Sequence, residues 1–167
     1  MSFRAIPAAV DLPAVEHSIL KFWRDNSIFE KTVAAREGAP TWTFYEGPPT
    51  ANGMPGTHHI EARVFKDVFP RFHTMKGKHV IRKAGWDCHG LPIEWKIEEQ
   101  YKKNKKNKNE VPIVEFRKEC RSFAEKWIEV HKGQFKRLGV IGDWENYYST
   151  MSFDAEAQIV RELGKFL

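Results

Sequence analysis

Several things are scarce in this 167-residue chain. No apolar run approaches the eighteen or so residues of a membrane-crossing helix, so no membrane span is expected. There are only two cysteines, Cys88 and Cys120, too few for a disulfide framework and in no CxxC pair. The opening Met1-Ser2-Phe3-Arg4 lacks the apolar core of a signal peptide, and Asp11 and Glu16 argue against a transit peptide. There is no internal repeat, no long linker, no P-loop ending in Gly-Lys-Ser/Thr and no GxGxxG fingerprint. These absences argue against secreted, membrane and zinc-finger classes, and leave a soluble, cytoplasmic protein as the expectation.

What is present suits a folded chain of about one average domain. Hydrophobic residues make up 41% and aromatics 13%, enough to build a core. Twenty-seven Lys and Arg against 22 Asp and Glu give a net charge of +5, a mild bias toward anionic partners.

Helix–strand–loop–helix–strand order predicts an α/β fold with parallel strands. Pro13 to Asn26 reads as a first helix, with Asp11 as N-cap and Val15, Ile19, Phe22 and Trp23 at helical spacing. Thr41–Tyr45 reads as a strand. Gly47 to Gly56 (GPPTANGMPG) is a stiff loop, followed by a helix from Thr57 toward Lys76 with Gly77 as its stop. Pro70 inside that helix predicts a kink or an early end. Val80–Arg82 reads as a second strand, Gly85 to Gly90 (GWDCHG) as a second loop, and Leu91 to Lys103 as helix. A long helix is expected over Ile113–Leu138, with Phe116, Cys120, Phe123, Trp127 and Leu138 as its buried stripe. A last helix begins at Asp154 and runs to Leu167, with no cap expected.

A loop that leaves a strand and opens a helix presents free N–H groups and the positive end of the helix dipole, an anion site. Gly47, Gly53 and Gly56 permit close approach, and His58 and His59 can donate to phosphate oxygens. The same residues equally describe an ordinary connection with surface histidines. A zinc site built from His58, His59, Cys88 and His89 is disfavoured, because adjacent side chains diverge and no partner pair completes a tetrahedron. In a parallel sheet both loops fall at the strands' carboxyl ends, so Asp87 is expected to face the anion site and suit an ammonium group. Asp87 also reads as the N-cap of the helix from Leu91, Trp86 reads as core, and Cys88 is discounted as a nucleophile beside His89. The KKNKKNK run at Lys102–Lys108 is read as a solvated helix end rather than a nucleic-acid patch.

The runs FYEGPPTANGMPG, RVFKDVFPRFHTMKG and AGWDCHGLPIE, with FAEKWIEVHKGQFKRLGVIGDWENYYSTM, resemble the isoleucyl branch of the class I aminoacyl-tRNA synthetases. The resemblance covers nearly the whole chain. The pairing of GPPTANG with GWDCHGLP sets it apart from the valyl and leucyl branches. It implies the N-terminal portion of a Rossmann-type (HUP-like) catalytic domain over 41–167, truncated before an editing insertion and preceded by a helical extension over 1–40. It further implies ATP with Mg2+, isoleucine and tRNA(Ile) as partners. Isoleucine's carboxylate attacks the α-phosphorus in line, pyrophosphate leaves, and the adenylate esterifies the tRNA, chemistry that rests on positioning and charge stabilisation. Carried onto this chain, Asp87 holds the ammonium and Pro48 borders the side-chain pocket. Asn52, Gly53, Gly56, Thr57, His58 and His59 hold ATP, the two histidines serving catalysis, with no protein-held metal.

One departure stands out. The family's helix-start signature reads His-x-Gly-His, and this chain has Gly56-Thr57-His58-His59, with the first and third positions exchanged. Either activity is lost, or the loop shifts so that His58 replaces the missing donor. The otherwise intact surroundings favour the shift. The family's Lys-Met-Ser-Lys-Ser-like loop is absent, as is room for editing, and isoleucine enzymes are the standard illustration of why one methylene calls for editing. The chain therefore reads as a fragment. The alternative is a nucleotide- or RNA-binding module without turnover.

Overall fold

The computed structural model of the chain describes residues 9–167. Met1–Arg4 and the rest of the first eight residues of the expected extension lie outside the described residues. Helix α1 (Leu12–Asp25) starts as its sequence dictates, the Asp11 carboxylate accepting from the Ala14 amide at 3.1 Å. A short α2 (Ile28–Ala34) follows, unanticipated, after a left-handed Ser27 (φ 49°) turns the chain. Glu16 of α1 meets Arg137 at 2.9 Å, and Arg71 lies over the Trp23 ring at 5.4 Å.

Three extended segments run parallel at the centre. The expected strand at Thr41–Tyr45 is not one. Residues 41–50 pair by backbone at their two ends, through the bridges Thr41↔His79 and Thr50↔Asp87, and are braced between them by side chains of the helix that follows. Pro48 and Pro49 have no N–H to give a ladder, which confines this segment to an edge role. Strand β1 is Lys83–Trp86, not Val80–Arg82, and its parallel partner β2 (Asp143–Ser149) was not foreseen. Their register runs Lys83↔Asp143, Gly85↔Tyr148 and Trp86↔Ser149, so β2 bulges between the first two pairs. The Asp143 carboxylate closes that bulge, accepting from the amides of Glu145 and Asn146 at 3.3 and 2.9 Å. Gly142 just before it admits no side chain, because a Cβ would stand 2.8 Å from the Arg82 carbonyl oxygen.

Helices α3 (Thr57–Met75), α4 (Leu91–Lys103) and α5 (Ile113–Arg137) fall where expected, to within a residue. Pro70 does not end α3, and Gly77 (φ 81°) follows it as the stop. The last helix, α6, is Phe153–Leu163, shorter than expected. It is capped at its start by the Ser152 hydroxyl and ends on Gly164, which the sequence reading passed over. Among the described residues no helix is long and apolar enough to cross a membrane.

The core lies between β1, β2 and α5: Trp86, Trp144, Ala124, Ile128 and Phe135, with Ile93 of α4. Of the expected α5 stripe, Phe116 is buried and Cys120, Phe123 and Trp127 pack partly buried against the core. Leu138 is exposed, since the buried line continues through His131 and Phe135 instead. Mixed helix and parallel strand, in this order, is the N-terminal part of a Rossmann-like α/β fold.

Candidate functional site

Alternation along β1 separates two jobs. Trp86 points into the core, fully buried against Trp144 and edge-on to Tyr147, as a structural tryptophan should. Gly85 faces the other way, and so does Asp87. On that face a Cβ at Gly85 would stand 3.5 Å from Pro48 Cβ and 3.6 Å from the Tyr148 ring, so Gly85 forms a floor flanked by Pro48 and Tyr148. Asp87 sits at the far end. Its amide donates to the Pro49 carbonyl and its carbonyl accepts from the Ala51 amide, each at 2.9 Å, which zips the two loops together. The Asp87 carboxylate accepts from the His89 amide at 3.3 Å, and the Thr150 hydroxyl accepts from the Cys88 amide at 2.8 Å. The N-cap of α4 is Gly90 (φ 83°), not Asp87, so that carboxylate is not spent on a helix start. Tyr148, Thr150 and Gly85 were missed by the sequence reading. With β2 unrecognised, nothing placed Tyr148 and Thr150 beside Asp87.

The other half of the site is the start of α3. Gly56 is its N-cap, and the Gly56 amide donates to His59 Nδ1 at 3.0 Å. A lone pair must therefore stand on Nδ1, leaving the ring's proton on Nε2, free to donate outward. Burial, then neighbouring His58, His131, Arg63 and Lys66, hold the His59 pKa below the usual imidazole range, which favours the neutral ring. His58 is exposed and lies beside it, ring centroids 3.9 Å apart. Its Cε1 and Nδ1 lie 3.0 and 3.1 Å from where a Cβ on Gly56 would stand. His58 thus folds back over position 56, into the space a side chain there would use. Thr57 is exposed in the first turn, and Asn52 and Gly53 are half-buried in the loop before it.

The loop is braced from below. Lys66 Nζ donates to the Gly47 carbonyl at 2.7 Å, and the buried Arg63 pairs with Glu46 while covering the Phe135 ring at 4.5 Å. Burial pulls the Arg63 pKa down, and Glu46 opposes it. Among the described residues no group of three or more His, Cys, Asp or Glu side chains is placed to hold a metal ion. His89 reaches away from His58 and His59, to Glu156 at 3.2 Å. Cys88 is buried, and burial raises its thiol pKa, which removes the thiolate a nucleophile needs. In the basic run, Lys102 and Lys108 pair with Glu98, and Lys106 with Glu119, so these three lysines lie along acidic helix faces.

Comparison with known proteins agrees with this architecture. Residues 18–167 match the tRNA synthetases class I (I, L, M and V), and the chain belongs to that family. An isoleucine–tRNA ligase of Pelagibacter ubique is 59% identical over 163 residues, covering 98% of this chain and 18% of that protein. One from Streptomyces avermitilis is 53% identical over 150 residues, covering 89% of this chain and 14% of that protein. The chain thus spans less than a fifth of the length of these relatives. Among solved structures, the LeuRS of Agrobacterium radiobacter in a LeuRS–tRNA–LeuAMS ternary complex superposes with a TM-score of 0.64. At 19% identity, over 90% of this chain and 17% of that one, it shares the fold.

Proposed function

We propose that this chain is the N-terminal share of the catalytic domain of an isoleucine–tRNA ligase, working in the cytoplasm on isoleucine, ATP and tRNA(Ile). The observation that carries the reading is the zip between Asp87 and residues 49–51, which brings the Asp87 carboxylate and a helix N-terminus to one end of the parallel sheet. Its support in relatives is the 59% identity to a protein of that name.

The residues divide the work by charge. Asp87 takes the ammonium of the amino acid, and its side chain lies on the Gly85 floor between Pro48 and Tyr148. That leaves the amino acid's carboxylate directed toward the start of α3. There the free amides of the first turn and the dipole attract phosphate. His59 offers its Nε2–H and His58 a second imidazole in the place of a position-56 side chain. Asn52, Gly53, Gly56 and Thr57 let the nucleotide approach the backbone. The carboxylate oxygen attacks the α-phosphorus and pyrophosphate departs, with hydrogen bonds at the helix start stabilising the developing charge. Magnesium would be held chiefly by the triphosphate, and the Glu46 carboxylate of the same loop is occupied by Arg63 and Lys66.

The test is amino-acid-dependent ATP–pyrophosphate exchange by the complete enzyme. Exchange with isoleucine, lost in Asp87→Asn through a raised KM for isoleucine, is the expected result. Stronger exchange with leucine, methionine or valine overturns the amino-acid assignment. ATP or tRNA binding without any exchange favours a binding module instead.

A further inference from the structure

His131 takes no part in the chemistry above, yet it is 1% exposed and among the largest fully buried side chains. It projects from α5 between Trp127 and Phe135, ring centroids 6.5 and 5.5 Å away. A buried imidazole must satisfy both nitrogens. Nδ1 lies 3.2 Å from Trp86 Nε1, and an indole N–H only donates, so Nδ1 accepts. Nε2 therefore carries the proton, and it lies 2.6 Å from the Gly53 carbonyl oxygen, which only accepts. The tautomer is fixed by its two partners.

That second bond falls in the loop between the two anchored ends. Residues 49–51 are tied to Asp87 and Gly56 is tied to His59, while Asn52 makes only a local contact with Thr50. Within residues 52–55 the Gly53 carbonyl is the point gripped from outside the loop, and His131 is the group that grips it. The far side of the imidazole is held by the most buried tryptophan of the sheet, so the loop is referenced to the core rather than to solvent.

We infer that His131 is a positioning residue for the nucleotide: through its Nε2–H bond to Gly53 it sets the height of the 52–55 loop against the start of α3. The inference rests on the proposed reading of that loop as the ATP contact. Small displacements of a positioning group are amplified in rate, because the reacting atoms must meet within a narrow geometry.

Two conservative variants separate the bonds. The Gln amide nitrogen reaches the place of Nε2, whereas Asn places its amide only where Nδ1 stands. His131→Gln therefore keeps the Gly53 bond, and His131→Asn keeps only the Trp86 bond. In the complete enzyme, hydrogen–deuterium exchange of the 47–60 peptide is expected to rise in H131N and stay near the parent in H131Q. In pyrophosphate exchange, H131N is expected to raise KM for ATP by about tenfold, with KM for isoleucine changed less than about twofold and H131Q within about threefold of the parent. Equal loop exchange in all three proteins overturns the inference, as does H131Q impaired as much as H131N, or both KM values rising together. A parent enzyme without isoleucine-dependent exchange refutes the proposed function instead. The deuterium measurement still decides whether His131 holds the loop.

Discussion

A glycine on the floor of the proposed amino-acid pocket is a lever on substrate size. At Gly85 an added methyl would meet Pro48 and Tyr148 at ordinary contact distances, 3.5 and 3.6 Å, so the fold accommodates it. Gly85→Ala is therefore expected to leave the denaturation midpoint nearly unchanged while raising KM for isoleucine severalfold. A large loss of stability with unchanged KM would place Gly85 in the core instead. His59 is the opposite case, a side chain with two duties. Its Nδ1 caps α3 through the Gly56 amide, and in the proposed site its Nε2–H is left for the nucleotide. His59→Ala is expected to abolish adenylate formation, and near-parental pyrophosphate exchange in that variant would remove His59 from the chemistry. Position 56 is constrained by its neighbour, since a side chain there meets His58 at 3.0 Å. Restoring His at 56 alone is thus expected to expel the His58 ring, whereas exchanging both residues together is not. Inhibitors that press on the helix start should accordingly distinguish the two arrangements, and equal affinity for both would count against this.

At the scale of elements, the edge segment depends on α3. Arg63 is 6% exposed and its charge is answered by Glu46. Glu46→Ala leaves that cation buried and unpaired, at an expected cost of about 3–5 kcal/mol, read from denaturant unfolding of the complete enzyme. A second dependence is on pH. Burial leads the causes that lower both the His59 and His131 pKa values, so the folded protein resists protonating them and the unfolded chain does not. Their contribution is intact above the ordinary imidazole value of about 6.5 and declines as pH falls through it toward the lower folded values. Unfolding midpoints should drop between neutral and mildly acid pH, and H131Q should flatten that slope. The longer helices were legible because Asp11, Pro13, Gly77 and the apolar spacing of α5 are local signals, whereas the short α2 carries none. The sheet was not. β2 reads DWENYYS, with polar residues where a strand of alternating apolar ones is sought, because a bulge closed by Asp143 interrupts it. β1 carries Lys83 and Gly85, poor strand formers, and is a strand only through its neighbours. The TWTFY run has strand-forming residues, but it belongs to an edge segment that carries Pro48 and Pro49 and pairs only at its ends. Of the candidate site, the two loops were found by composition, while Tyr148, Thr150 and His131 come to it from distant parts of the chain.

The molecule as a whole presents apolar surface on several helices, α3 and α6 among them. Val64, Phe65, Val68, Phe72 and Met75 of α3, and Ile159, Val160 and Leu163 of α6, are all exposed. Clustered exposed apolar side chains mark contact surfaces. The chain produced alone is expected to bind hydrophobic dyes and to self-associate in sedimentation, and a monodisperse, dye-silent monomer would contradict this. The parallel pairing has a further consequence, for the order in which the protein is made. Each bridge in the sheet joins segments that lie on either side of at least one helix: Thr41 to His79 across α3, and Trp86 to Ser149 across α4 and α5. Such contacts form slowly, because the intervening loop must be closed first. The α4–α5 pair can assemble by itself as the chain leaves the ribosome. β1, however, waits with one edge bare until Ser149 has emerged, and through that interval Trp86 has no Trp144 to cover it. This is the interval in which a nascent chain of this design most needs a chaperone.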